Sequence, residues 1–346
     1  MMARKNREAW PDRVKLLACI LVVLGHFFQS MVTSGFLPGG WLYTWFDKTI
    51  YYFHVPLFFV CSGYLYQKTA RVDSLATWKS SVSKKTIGLG IPYVVFTIVT
   101  WGLKTLFSGA VNYENMGLLE TLLFVPTSPY WYLYALFFLF VMTPTGRDTR
   151  MADWMLFAAV IMKLMSIFLP DSSVYVVDTV LDNEIWFVSG IVLCAHGYPE
   201  RMRTIQWKKV GLATALIFVI FSVLVFKYDT ILPLISFVMG CLGCAAVIII
   251  IISFSLREIG YDWEHWMTQA TMPIFLMHTI FAAGLRTFFL KLGVTNPVVH
   301  VICGLTISFI GPIFAIKIME KLKLDIVVYP EKYLKLFVRK RKENHD

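Results

Sequence analysis

About ten runs of predominantly apolar residues decide what this chain can fold into, most of them near the 17–25 residues that carry a helix across a bilayer. They cover residues 14–33, 49–67, 88–107, 129–145, 153–169, 184–198, 210–227, 230–253, 269–290 and 297–319, the fourth to sixth being short or interrupted. Lipid offers the backbone no hydrogen bonds, so a continuous run of this length must bond internally, as a helix. Composition agrees: charged residues make up only 16% of the 346, against about 25% in a soluble domain. The expected fold is an all-α integral membrane protein of about ten transmembrane helices. Residues 1–330 form the membrane domain, and 331–346 form a basic cytoplasmic tail suited to rest on anionic lipid.

Charge sets the orientation. With the N-terminus in the cytoplasm, most of the 32 basic residues fall on the inner side. They include Arg4, Lys5, Arg7, Arg13, Lys68, Arg71, Lys79, Lys84, Lys85, Arg147, Arg150, Arg201, Arg203, Lys208, Lys209 and Arg257, together with the basic tail. Outer segments keep Lys48, Lys227 and Lys291 and collect Glu114, Glu120, Asp171, Asp178, Asp182 and Glu184. Both termini are therefore expected in the cytoplasm. Lys227 to Thr230 reads as a tight outer hairpin. The net charge of +10 follows topology, so a nucleic-acid partner is not expected. Cys241 and Cys244 lie in an apolar run without a neighbouring His or second cysteine pair, and read as packing residues, not a metal site.

One polar feature has no packing reason. In REAWPDRVKLLACILVVLGHF, His26 interrupts the first apolar run eleven residues after Lys15. That spacing is close to three helical turns, which puts both residues on nearly one face, roughly 16 Å apart along the axis, with Cys19 and Val22 between them. An ionisable group in hydrocarbon is costly and is a functional candidate by default. His26 and Gln29 also argue against a cleaved signal peptide, as does the lack of an A-x-A-like site. In the second run, FHVPLFFVCSGYL (Phe53–Leu65), His54 lies near the outer face. Pro56 is expected to kink the helix and free carbonyls for polar neighbours. Ser62–Gly63, about 12 Å further inward, permits close helix contact.

These motifs resemble the integral membrane acyltransferases of acyltransferase family 3, nearest the branch described as fucose 4-O-acetylase-like. The family hallmark is a basic residue, ten residues, then His in the first helix. Lys15 and His26 match it, and Asp12 fits a D-x-x-K beginning. Phe53–Tyr64 matches the second-helix form F-H-x-P-L-F-F-x-x-S-G-Y. Weaker echoes are Ile91–Tyr93, Trp131–Phe137, Ile185–Gly190 and Pro273–His278. One departure stands out: where members often carry R-x-x-R before the third helix, KKTIGLGIPY has Lys85 and then Gly88. Lys84 could share the first role, with Lys79, Arg71 or Arg150 as substitutes for the second.

The resemblance implies an O-acyltransferase, most often an O-acetyltransferase. The acyl group passes from cytoplasmic acyl-CoA, acetyl-CoA above all, to a hydroxyl of a surface glycan or lipid-linked saccharide. CoA acts as a donor substrate, with no permanently bound cofactor and no metal. In that reading His26 is the base, and Ser62 orients substrate or joins an oxyanion site. Lys15, Lys84 and Lys85 grip the donor, whose pantetheine arm follows the Lys15–His26 stripe. His54, Trp131, Tyr132 and His278 face the acceptor. Plainer readings stand beside these: a snorkelling Lys15, a packing Ser62, a satisfied structural His54 and an interfacial aromatic belt at Trp131–Tyr132. The expected location is a cell membrane, that of a bacterium. The rival class is a multi-span transporter or exporter of a glycan precursor, which intramembrane His, Lys and Pro also suit, although the sequence shows no internal repeat. A scaffolding membrane protein would not need the Lys15–His26 pair.

Overall fold

A computed structural model describes residues 8–107, 116–228, 232–255 and 262–334. The turn at Asp229–Thr230, the tail from Lys335, and Arg4, Lys5, Arg7, Arg257 and Glu114 lie outside the described residues. Every regular element among those described is helical, as an apolar solvent for the backbone requires. The first group comprises α1 (Trp10–Thr33), α2 (Trp41–Tyr51), α3 (His54–Thr69), α4 (Leu75–Lys85) and α5 (Ile91–Leu106). Next come α6 (Leu118–Leu123), α7 (Trp131–Met142), α8 (Thr149–Phe168), α9 (Tyr175–Ala195) and α10 (Tyr198–Arg201). The last four are α11 (Ile205–Lys227), α12 (Pro233–Ser253), α13 (Asp262–Lys291) and α14 (Pro297–Lys321).

Each expected run has its own helix, and among the described residues seven helical stretches are long and apolar enough to cross a membrane. The other three runs give α3 (16 residues), α7 (12 residues) and α9 (21 residues). Helix α9 is long enough, but its first half carries Asp178, Asp182 and Glu184, which the charge pattern had put in an outer loop. Asp182 accepts hydrogen bonds from Lys163 Nζ at 2.8 Å and Ser166 Oγ at 2.6 Å on α8, so the helix continues through acids that have partners. The third run also starts earlier than its apolar residues suggest: a single 32-residue helical stretch begins at Leu75 and includes a π-helical turn at Thr86–Gly90. Ser74 caps it through a reciprocal capping box with Thr77.

Pro56 does not kink a continuous helix. The chain breaks at Tyr52–Phe53 instead, and Pro56 falls in the first turn of α3, where the absent N–H has no intrahelical partner to lose. Other helix starts use the same device: Pro11, Pro92, Pro233 and Pro297 each sit at the first or second position of α1, α5, α12 and α14.

The chain divides into two compact units. One holds residues 1–71, 145–173 and 177–271; the other holds 72–144, 174–176 and 272–346. In the first, α1 packs along α3 and α11 pairs with α12. Helices α3 and α9 cross at two glycines: a Cβ on Gly63 would fall 1.8 Å from the Phe187 carbonyl oxygen, and one on Gly190 would fall 2.0 Å from that of Val60. The contact is backbone on backbone, so no rotamer change can make room. In the second unit Tyr130, fully buried, ties α5 to α13 by donating to the Leu276 carbonyl at 2.9 Å and sharing a 2.8 Å hydrogen bond with Thr100.

Gly63→Ala and Gly190→Ala should each lower stability by about 1–3 kcal/mol or more, because the strain falls on the backbone. Thermal unfolding in detergent, compared with Gly102→Ala, where a Cβ meets open space, checks this.

Candidate functional site

The residues that the sequence marks on α1 and α3 belong to the first unit. Lys15 and His26 are both half-buried on α1, but the stripe between them is covered. Cys19 and Val22 are buried, and the Cys19 thiol lies 3.6 Å from the Thr271 carbonyl. The middle of the stripe expected to carry the pantetheine arm is therefore packed against the first half of α13 in this structure. Arg13 is also committed: it grips Glu264 at 2.8 and 3.0 Å through two nitrogens and bonds Ser255. One turn earlier, Glu8 takes Lys68 at 2.6 Å, Tyr64 at 2.5 Å and Trp10 Nε1 at 3.3 Å.

A polar group surrounds His26 that the sequence reading did not assemble. The Tyr51 ring stands edge-on to His26, with centroids 6.5 Å apart, and edge-on to His54 at 4.6 Å. It therefore joins the two histidines. The approach depends on Gly25, since a Cβ there would lie 3.2 Å from the Tyr51 ring and 3.4 Å from its hydroxyl. Gln29, on the same face of α1 as His26, donates to Asp47 Oδ2 at 3.3 Å. Gln29 was visible as a polar interruption of an apolar run. Asp47 and Tyr51, four apart on α2, carried no motif to signal them.

His54 is 1% exposed, and its Nδ1 lies 2.7 Å from the Ile50 carbonyl. A carbonyl only accepts, so Nδ1 carries the proton and Nε2 is the acceptor nitrogen of the neutral ring. This carbonyl, at the α2–α3 break, also accepts from the Phe53 N–H at 3.2 Å. Ser62 is buried beside the Gly63 crossing; its local setting is that of a packed helix contact.

The other marked residues lie in the second unit, apart from Arg71 and Arg150, which belong to the first. Lys84 is exposed. Lys85 sits 4.2 Å above the Phe140 ring and 4.0 Å from Glu331 Oε1. A Cβ on Gly88 would fall 2.4 Å from that same oxygen. The Glu331 carboxylate thus lies in the space beside Gly88, where a larger side chain would have to displace it. Arg71, Lys79 and Arg150, the suggested substitutes, are exposed. Tyr132 is buried edge-on to Phe275 at 5.6 Å, while Trp131 is half-buried. His278 is 1% exposed and donates through Nδ1 to the Ile274 and Phe275 carbonyls, each at 2.9 Å. Among the described residues no group of His, Cys, Asp and Glu is arranged to hold a metal ion. Cys244 packs its thiol 3.7 Å from the Phe53 carbonyl.

An apolar helical chain with a cation and a histidine on one face of α1 is what a membrane acyltransferase presents, and a family comparison identifies the class. The acyltransferase-domain model of acyltransferase family 3 matches residues 8–317, and the chain belongs to that family. It is similar to nodulation protein NolL of Mesorhizobium japonicum, 30% identical over 160 residues that cover 45% of this chain and 40% of the relative. It is also similar to nodulation protein NolL of Sinorhizobium fredii, 33% identical over 169 residues that cover 47% of this chain and 44% of the relative. The chain spans less than half the length of these curated relatives. No solved structure matches it.

Glu8 precedes α1 and lies outside the apolar run. Burial pushes its carboxyl upward, but hydrogen bonds from Lys68 and Tyr64 and the Lys68 charge outweigh it and hold the carboxyl below the usual glutamate value. A depressed folded pKa contributes stability above the unfolded value, about 4.3. The contribution is lost as pH falls through the folded pKa. Glu8→Gln should therefore be less stable than the native chain by about 1 kcal/mol at neutral pH. The two should converge in acid, which unfolding against pH measures.

Proposed function

We propose that this chain is a membrane O-acyltransferase moving an acyl group, acetyl above all, from cytoplasmic acyl-CoA to a hydroxyl of a surface glycan or lipid-linked saccharide. One observation carries the reading: the family match over residues 8–317 includes, on a single helix, Lys15 and His26 at the spacing of the family hallmark. A sugar hydroxyl is a weak nucleophile, and neutral imidazole is the usual base for it near pH 7. In the proposed step His26 takes the hydroxyl proton as the oxygen attacks the thioester carbonyl. The C–S bond breaks, an ester forms, and the CoA thiolate leaves to be protonated. Lys15 offers a cation to the anionic donor, Lys84 and Lys85 keep the donor role that the family resemblance implies, and Ser62 orients the reacting groups. The concentration of basic residues on one side supports an N-terminus and C-terminus in the cytoplasm of a cell membrane, where the donor is found.

The test is transfer from radiolabelled acetyl-CoA to saccharide in vesicles that hold the full chain. His26→Ala should cut kcat by about 100-fold or more. Lys15→Ala should raise the KM for acetyl-CoA more than it lowers kcat. Full activity in His26→Ala would reject the base, and saccharide flux without CoA dependence would identify a transporter instead.

A further inference from the structure

Asp47 is a half-buried acid of the first unit that the proposed chemistry leaves unused. It sits one turn before Tyr51 on α2, so both project from one face. That face meets the His26–Gln29 face of α1 through the Gln29–Asp47 bond at 3.3 Å and the Tyr51–His26 ring contact at 6.5 Å. Gln29 satisfies Oδ2 only. Asp47 Oδ1 is buried and has no hydrogen-bond donor among the described residues. A carboxylate oxygen taken out of water without a donor is costly, and such an atom in a native fold calls for an explanation. Next to it Tyr51 keeps 38% of its surface exposed, so the orphan oxygen stands beside an accessible aromatic ring and the proposed base.

We propose that Asp47 is the acceptor-binding carboxylate of this protein, Oδ1 taking a hydrogen bond from a saccharide hydroxyl neighbouring the one that His26 deprotonates. The assignment rests on the reading of His26 as the base of a saccharide acyl transfer. An ionised carboxylate is acceptor-only. With one oxygen already tied to Gln29, it can receive one hydroxyl donor in a fixed direction. Tyr51 supplies the amphipathic partner, its ring an apolar surface for the carbohydrate C–H groups. Its edge-on contacts hold it between His26 and His54. The ligand class that matches is a polyhydroxylated ring with two hydroxyls close together, one to react and one to be read. A site that reads a hydroxyl through a buried polar atom rejects the analogue lacking it more strongly than an apolar pocket rejects a lost methylene.

The test uses the full chain in lipid nanodiscs with acetyl-CoA as donor. The acceptors are methyl fucoside, methyl galactoside and methyl rhamnoside, each with its mono-deoxy analogues. Asp47→Asn should raise the acceptor KM by about tenfold or more while the KM for acetyl-CoA stays within about twofold. One mono-deoxy acceptor should suffer the same loss with the native chain and almost no further loss with Asp47→Asn, the non-additivity expected when both changes remove one interaction. A native acceptor KM in Asp47→Asn, equal losses on donor and acceptor, or additive losses would overturn the assignment. Glycoside binding measured by calorimetry without donor separates this from a failure of the base. If His26→Ala retains full transfer activity, or the native chain transfers nothing, the base reading has failed. Asp47 still stands if the native chain binds a glycoside and Asp47→Asn does not. Equal binding by both, or binding by neither while a CoA-dependent thermal shift shows a folded protein, overturns it.

Discussion

Helix α1 is pinned at its N-terminal end, and the geometry of the first unit follows from that. Arg13 meets Glu264 through two nitrogens, and Glu8 gathers Lys68, Tyr64 and Trp10. Charges removed from water are tolerated when their geometry is good and their remaining valences are bonded, and both clusters meet that condition. Together they tie the start of α1 to α13 and to the end of α3. A helix anchored on two sides resists rotation and sliding, which helps hold the direction of His26 further along it. Functional groups need this sort of support from rigid elements. The backbone crossing at Gly63 and Gly190 supplies the same rigidity to α3 and hence to His54 and Ser62.

The polar groups around His26 depend on one small residue. Gly25 precedes the histidine and lets the Tyr51 ring lie against α1; a Cβ there would make that ring give by a few tenths of an ångström. The chain break at Tyr52–Phe53 has a related effect. It starts α3 at His54, which places the imidazole over the Ile50 carbonyl and against Tyr51. A continuous second helix would have directed these side chains elsewhere.

In the second unit the departure from the family pattern has a structural counterpart. Lys85 is shared between the Phe140 ring and Glu331, and Glu331 occupies the space beside Gly88. The segment that carries Glu331 is tied back, since Lys332 bonds Asp325 at 2.9 Å and Tyr333 bonds the same carboxylate. The start of the expected tail is therefore folded against the helices. A side chain at position 88 would require the Glu331 side chain to shift from where it now lies.

The helical class, the membrane setting and the family were legible in the sequence because each depends on local chemistry. An apolar run of this length has one way to satisfy its backbone in lipid, and Lys15 with His26 needs only helical periodicity to share a face. Helix limits were less legible: α9 runs through acids because α8 offers Lys163 and Ser166, which are distant in sequence. The packing over Cys19 in the Lys15–His26 stripe, the junction of Tyr51 with two histidines, the orphan oxygen of Asp47 and the acid beside Gly88 were not legible at all. Each depends on which side chain arrives from another helix. The sequence by itself determined that this chain forms membrane helices with a histidine inside the first of them. Only the tertiary structure decided what stands around that histidine, because contacts between helices are set by close packing that no single run encodes.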